Sequence, residues 1–191
     1  MAYRNGTYVA FHANNTPDPA DSDMKYYNTL RMWRVRDESD FKFTNSHDKR
    51  DVRDWSTKET LKRALRERLN NSKHMLLIIG ETTHLDNDWV PFEIAYAVDS
   101  CKIPIIAAYP KYSSLIYPSS HSDLWPQALG DRIHNGTANV IHVPFKKEAI
   151  AADLQEDMQL IKVKLGVVDE MQNDMQLIKN ALGIKVSKVA V

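Results

Sequence analysis

The sequence predicts an α/β domain, a five-stranded parallel sheet flanked by helices, followed by a helical C-terminal extension. Three observations carry that prediction. Short apolar runs alternate with segments of helical period, the pattern of a sheet wrapped by helices. Residues 75–79 (MLLII) form a continuous apolar run that stops at Gly80, as a strand buried on both faces does. The first two apolar runs, like this one, lead into polar loops, so the loops leave the same kind of strand end.

Residues 7–11 (TYVAF) are short, β-branched and aromatic, and they run into the Pro-containing loop HANNTPDPADSD, which predicts a strand and then a loop. Met24, Tyr27 and Leu30 recur near helical spacing before Trp33 and predict a helix over 22–34. Phe41 and Phe43 alternate with Lys42 as a short second strand, and the polar loop TNSHDKRDVRDW follows. Ser56 with Glu59 three residues on matches a capping box, and Leu61, Ala64, Leu65 and Leu69 mark one face of the helix it opens. After the run 75–79 comes the loop GETTHLDND, where Asp88 is placed to cap a helix running WVPFEIAYAVDSC. Pro91 is tolerated there because first-turn N–H groups have no partner within the helix.

Residues 103–108 predict the next strand and 140–143 the fifth, separated by a Pro-, Ser-, Tyr- and His-rich stretch over 109–138. That stretch is too long for a structureless connection and is expected to be functional or partly helical. The resulting order is flavodoxin-like. Beyond Pro144 the composition changes, and DMQLIK occurs at Asp157 and again at Asp174, a repeat of period 17. Leu154, Met158, Ile161, Leu165 and Val168 follow a seam-like spacing, with Gly166 and Gly183 where helix ends would fall. A helix packed back on its own domain and a self-association element giving a homo-oligomer both fit this pattern.

Composition narrows the function. Lys plus Arg and Asp plus Glu both total 25, so no net field gathers nucleic acid or an anionic membrane. Residues 42–68 hold nine basic against five acidic residues, but most lie on one amphipathic helix and read as a solvated face. Cys101 is the single cysteine, which excludes an intrachain disulfide and a Cys-rich metal site. The start MAYRNGTYVAF lacks the apolar core of a signal peptide, and no apolar run approaches the ~20 residues of a membrane span. A cytoplasmic location is expected, and the Asn-X-Thr triplets at Asn5, Asn14 and Asn135 are then chance matches. Gly-X-Gly-X-X-Gly, Walker and HExxH patterns are absent from the sequence.

In open parallel sheets ligands bind outside the carboxyl ends of the strands. The residues there are Phe11, His12, Asn45, Ser46, Glu81, Thr82 and Thr83. Glu93 joins them, about one turn into the helix after the third predicted strand, on the face carrying Trp89 and Ala97. A carboxylate between Phe92 and Ile94 is unusual. The helix N-terminus favours its anion and burial opposes it.

The stretch MLLIIGETTHLDNDWVPFEIAYAV resembles the strand, polar loop, Trp and following Glu of TIR (Toll/interleukin-1 receptor) domains. The opening YVAFHA is similar to the first strand of the TIR-like ThsB proteins of the bacterial Thoeris antiphage system. The likeness spans roughly residues 7–145, which sets the expected domains as 1–145, TIR-like and nucleotide-binding, and 146–191, the helical extension. It implies that NAD is the substrate, with no cofactor and no metal. Glu93 is then the NAD-cleaving residue and His12 its catalytic companion, while Phe11, Ser46 and Trp89 bind substrate. It further implies that the product is a cyclic ADP-ribose isomer, an antiviral signal sensed by an effector protein. Two departures stand out: many relatives carry an Asp after the second strand where this chain has Thr44, Asn45 and Ser46, and the C-terminal repeat has no counterpart. The alternatives are a non-catalytic TIR adaptor and a nucleoside deoxyribosyltransferase-like enzyme. A receiver domain is disfavoured, since the first strand ends in His-Ala-Asn-Asn without a magnesium-binding acidic pair.

Overall fold

A computed structural model describes residues 6–14, 16, 22–36 and 57–155 of the chain. The strands are β1 (Gly6–Ala10), β2 (Ser72–Ile78), β3 (Ile105–Tyr109) and β4 (Val140–Pro144). They pair in the order β1-β2-β3-β4, and every pair is parallel. Of the five expected strands these four are described, and the one expected around Phe41 and Phe43 lies outside the described residues. The helices are α1 (Met24–Arg36), α2 (Lys58–Asn70), α3 (Trp89–Ala95), α4 (Gln127–His134) and α5 (Lys147–Gln155).

The period of two along each strand sorts the core into two layers. Tyr8, Ala10, Met75, Leu77, Ile105, Ala107 and Tyr109 face one way, packed with Leu69 of α2, Val90 and Ile94 of α3, and Leu129 of α4. Val9, Leu76, Ile78, Ile106, Ala108 and Val143 face the other way, with Tyr27 and Leu30 of α1 and Ile150 of α5. Residues 75–79 are uniformly apolar because β2 has a helix layer on both sides. At its start β2 carries one residue more than β1: Gly6 lies opposite Ser72 but Thr7 opposite His74, so Lys73 is passed over.

Several expected details shift. The α2 cap is Thr57, whose Oγ1 accepts the Thr60 N–H at 3.2 Å, one residue beyond the predicted Ser56. Asp88 makes no capping bond. Instead Asp86 Oδ1 accepts the N–H groups of Asp88 (2.8 Å) and Trp89 (3.0 Å), while Asp88 pairs with Lys58 at 2.6 Å. The predicted helix over 89–101 is α-helical to Ala95 and continues as a wider π turn over Tyr96–Cys101, ending at Lys102 in the left-handed region (φ 54°). The stretch 109–138 is partly helical, holding a 3₁₀ segment (Pro118–Leu124) and α4. α4 is locked to the π turn by the Arg132–Asp99 ion pair, with Nε to Oδ1 at 3.0 Å. α5 falls inside the expected extension, yet its Ile150 is fully buried in the α/β core, and this compact unit closes at Leu154. The 17-residue repeat lies outside the described residues.

Candidate active site

The carboxyl ends of β1 and β2 carry a polar cluster that the core does not need. His12 follows β1 and is buried, with Nδ1 3.2 Å from Thr82 Oγ1 in the loop after β2. The His12 carbonyl accepts the Asp23 N–H at 3.1 Å, and the Asp23 carbonyl accepts the N–H groups of Tyr26 and Tyr27, which starts α1. Asp23 is itself buried: its Oδ2 accepts the Thr83 hydroxyl at 2.9 Å, and Thr83 Oγ1 accepts the Gly80 N–H at 2.8 Å. Burial raises the Asp23 pKa, opposed by the Thr83 hydrogen bond and the nearby His12. Gly80 is dictated by space, since a Cβ there would fall 1.9 Å from Asp23 Oδ1. The loops leaving β1 and β2 are thus clasped through one carboxylate.

Glu93 sits one turn into α3, on the helix that also buries Val90, Ile94 and Ala97. It is 3% exposed, and its Oε1 accepts the hydroxyl of Tyr8, from the middle of β1. Burial pushes the Glu93 pKa up to about 8, the Tyr8 hydrogen bond opposes this, and the Asp86 charge adds to it. Burial, and then the neighbouring Glu93, hold the Tyr8 phenol well above its ordinary value, so it stays a donor. The carboxyl expected from sequence to face a sugar therefore rests against β1 in a mostly protonated form.

The other expected site residues divide. Phe11 lies on the opposite sheet face from Glu93, in the α1 layer, stacked on Tyr27 with ring centres 5.1 Å apart. Alternation along β1 imposes this, because Tyr8 and Phe11 are three residues apart and must point oppositely. Trp89 is half-buried at the head of α3, with Lys58 Nζ 5.7 Å from its ring centre. Glu81 is exposed and paired with Lys111 at 2.7 Å. Ser46 and Asn45 lie outside the described residues. Sequence reasoning missed Tyr8 and Asp23. A phenol within an apolar strand is a weak signal for the first. Asp23 looked like an ordinary polar residue in the first turn of the predicted helix, with nothing to reveal Gly80 and Thr83 beside it.

A second cluster closes the end of β3. Trp125 Nε1 donates to Tyr109 Oη at 2.7 Å, and Tyr109 Oη lies 2.7 Å from His142 Nδ1. Burial drives the His142 pKa down to about 4, so the ring is neutral and accepts the phenol proton. The rings of Tyr112 and His121 stand 4.0 Å apart over Tyr109, which makes this loop a packed satellite of the core. Two open grooves lie on the α1 and α5 side, away from Glu93. One, of about 410 Å³, is lined by Asn28, Arg31, Met32, Val35 and Arg36. The other, of about 500 Å³, lies between Trp33, Arg36 and Phe145–Glu148. Among the described residues no group of three or more His, Cys, Asp or Glu could hold a metal, and no helix is long and apolar enough to cross a membrane.

A parallel sheet with helices on both faces, a Trp-X-X-X-Glu helix after β2 and its glutamate set against β1 together define a TIR-like domain. Residues 8–114, more than half of the chain, match the family model described as Thoeris protein ThsB, TIR-like domain. The chain belongs to that family and is a TIR-type defence protein.

Proposed function

We propose that this protein cleaves NAD between nicotinamide and its ribose, with Glu93 as the charged group beneath the sugar. The observation that carries this reading is a carboxyl buried to 3% exposure in α3, where an amide or an aliphatic side chain would burden the fold less. An adaptor has no use for such a group, so its presence favours chemistry over assembly alone. TIR-like domains are often NAD-cleaving, which is consistent with the same reading.

The C1–N bond breaks with its electron pair passing to the nicotinamide ring, which leaves neutral while positive charge grows on the ribose. Glu93 as an anion stabilises that charge, as glycosidase carboxylates do. With a pKa of about 8, about a tenth of Glu93 is ionised at pH 7 in the described state. The cationic nicotinamide of arriving NAD shifts the balance, because an adjacent opposite charge favours the anion. Water adding at C1 gives ADP-ribose and a proton. A hydroxyl of the adenosine ribose adding instead gives a cyclic ADP-ribose isomer and also a proton, the course a dry site favours. His12 takes that proton, and Trp89 offers a ring face to a base. Ser46 and Phe11 are kept in this reading as substrate contacts, Phe11 from its place against Tyr27 at the end of β1. The cyclic product is the antiviral signal sensed by an effector protein.

The test is incubation with NAD, product identification by mass spectrometry, and a parallel incubation with a deoxyribonucleoside and a free base. NAD loss by the wild type and its abolition in a folded Glu93→Gln variant are expected. Undiminished turnover by Glu93→Gln overturns the reading, and base exchange without NAD loss replaces it with a deoxyribosyltransferase.

A further inference from the structure

We infer that Tyr8 is a positioning residue for Glu93, its hydroxyl setting both the direction and the protonation of the carboxyl across the β1–α3 contact. The inference rests on Glu93 being the group that meets the sugar. The geometry is specific: Tyr8 is fully buried, its hydroxyl donates to Glu93 Oε1, and the two residues belong to elements 85 positions apart. A tyrosine within a buried strand needs a partner for its hydroxyl, and here the partner is the carboxyl that the chemistry requires. The bond is directional, so it fixes which oxygen is engaged by β1 and leaves Oε2 as the edge for a ribose hydroxyl.

The same bond acts on charge. A donor facing a carboxyl favours the anion, and Tyr8 is the group that opposes burial at Glu93. Among the described residues, two other charged groups act on the pair. Asp86, on the loop leading into α3, disfavours the Glu93 anion, and Arg68 of α2 acts on Tyr8 by lowering its pKa. Tyr8 keeps its proton throughout the working range, so it does not itself carry the proton of the reaction. Its part is to hold a share of Glu93 ready as an anion in a setting that would otherwise keep it neutral.

Two variants of the full chain test this. Tyr8→Phe keeps the ring and removes the donor, whereas a fluorinated tyrosine at position 8 keeps the hydroxyl and makes it a stronger donor. The readouts are the pH profile of NAD turnover and the titration of the Glu93 side-chain carboxyl followed by carbon NMR. In Tyr8→Phe both midpoints should rise by about one pH unit or more, a roughly tenfold fall in the ionised share at pH 7. The fluorinated ring should move them down. A uniform loss of turnover with unmoved midpoints would show Tyr8 to be packing alone and overturn the inference. If the wild type turns over no NAD, the proposed function fails, while the NMR titration still decides whether Tyr8 governs Glu93.

Discussion

Replacing Glu93 by Gln should make the protein more stable, and increasingly so as the pH rises. In the folded chain burial lifts the Glu93 pKa from 4.5 to about 8. Between those values the native state holds a proton that the unfolded chain has released, so stability falls as pH rises through this window. The contribution is complete below pH 4.5 and gone above pH 8. A shift of that size corresponds to about 5 kcal/mol across the window at roughly 1.4 kcal/mol per pH unit. Glutamine accepts the same Tyr8 hydroxyl without the titration, so the difference between variant and wild type should be smallest near pH 4.5 and largest above pH 8. For a chain of this size the divergence should reach about 10 °C or more in Tm. Thermal or urea unfolding of both proteins at matched pH values measures it. His142 also titrates, but equally in both chains, and cancels from the difference. A gap that stays flat from pH 4.5 to 9 would refute the burial argument.

Gly80→Ala should cost about 2 kcal/mol or more through collision with Asp23, and a double-mutant cycle with Asp23→Ala should show strong coupling in urea midpoints. Asp86→Ala should lower stability by about 1 kcal/mol, since Asp86 caps α3, whereas Asp88→Ala loses an exposed ion pair and should stay within about 0.5 kcal/mol. With the His142 pKa depressed to about 4 from 6.5, the neutral ring's contribution should be present above pH 6.5 and lost as pH falls toward 4. Tyr109→Phe should weaken that dependence, read by thermal unfolding at pH 4.5 and 7, because the phenol bond is one thing that protonation of His142 breaks.

The frame of this domain was legible where one physical signal dominates. The run 75–79 announced a strand with helices on both sides, and Leu61, Leu65 and Leu69 announced the buried face of α2. The TIR-like identity followed from the same stretch and from YVAFHA. α4 escaped because eight residues give little more than two turns of period, while α5 lies where a helical extension was expected, and the weak pattern around its buried Ile150 did not decide whether it packs on its own domain. The choice of Asp86 over Asp88 as the cap depended on backbone angles at a loop corner, which residue types do not specify. Glu93 was visible as an odd carboxylate among apolar neighbours. Its tie to Tyr8 was not, because strand alternation tells which residues share a face but not which helix residue meets them across it.

Lys73 has a larger effect than its surface position suggests. Parallel strands keep paired residues on a common side, and if Lys73 were paired rather than passed over Tyr8 would stand beside His74, whose neighbours Leu76 and Ile78 look toward α1. By slipping the ladder a single place, the bulge brings Tyr8 level with Met75 and sends it toward α3. Closing the ladder over Lys73, so that it stood opposite Thr7, would therefore do more than tighten an edge. It would exchange the inward and outward halves of β1, delivering an aliphatic side chain to the glutamate and a phenol to the wrong layer.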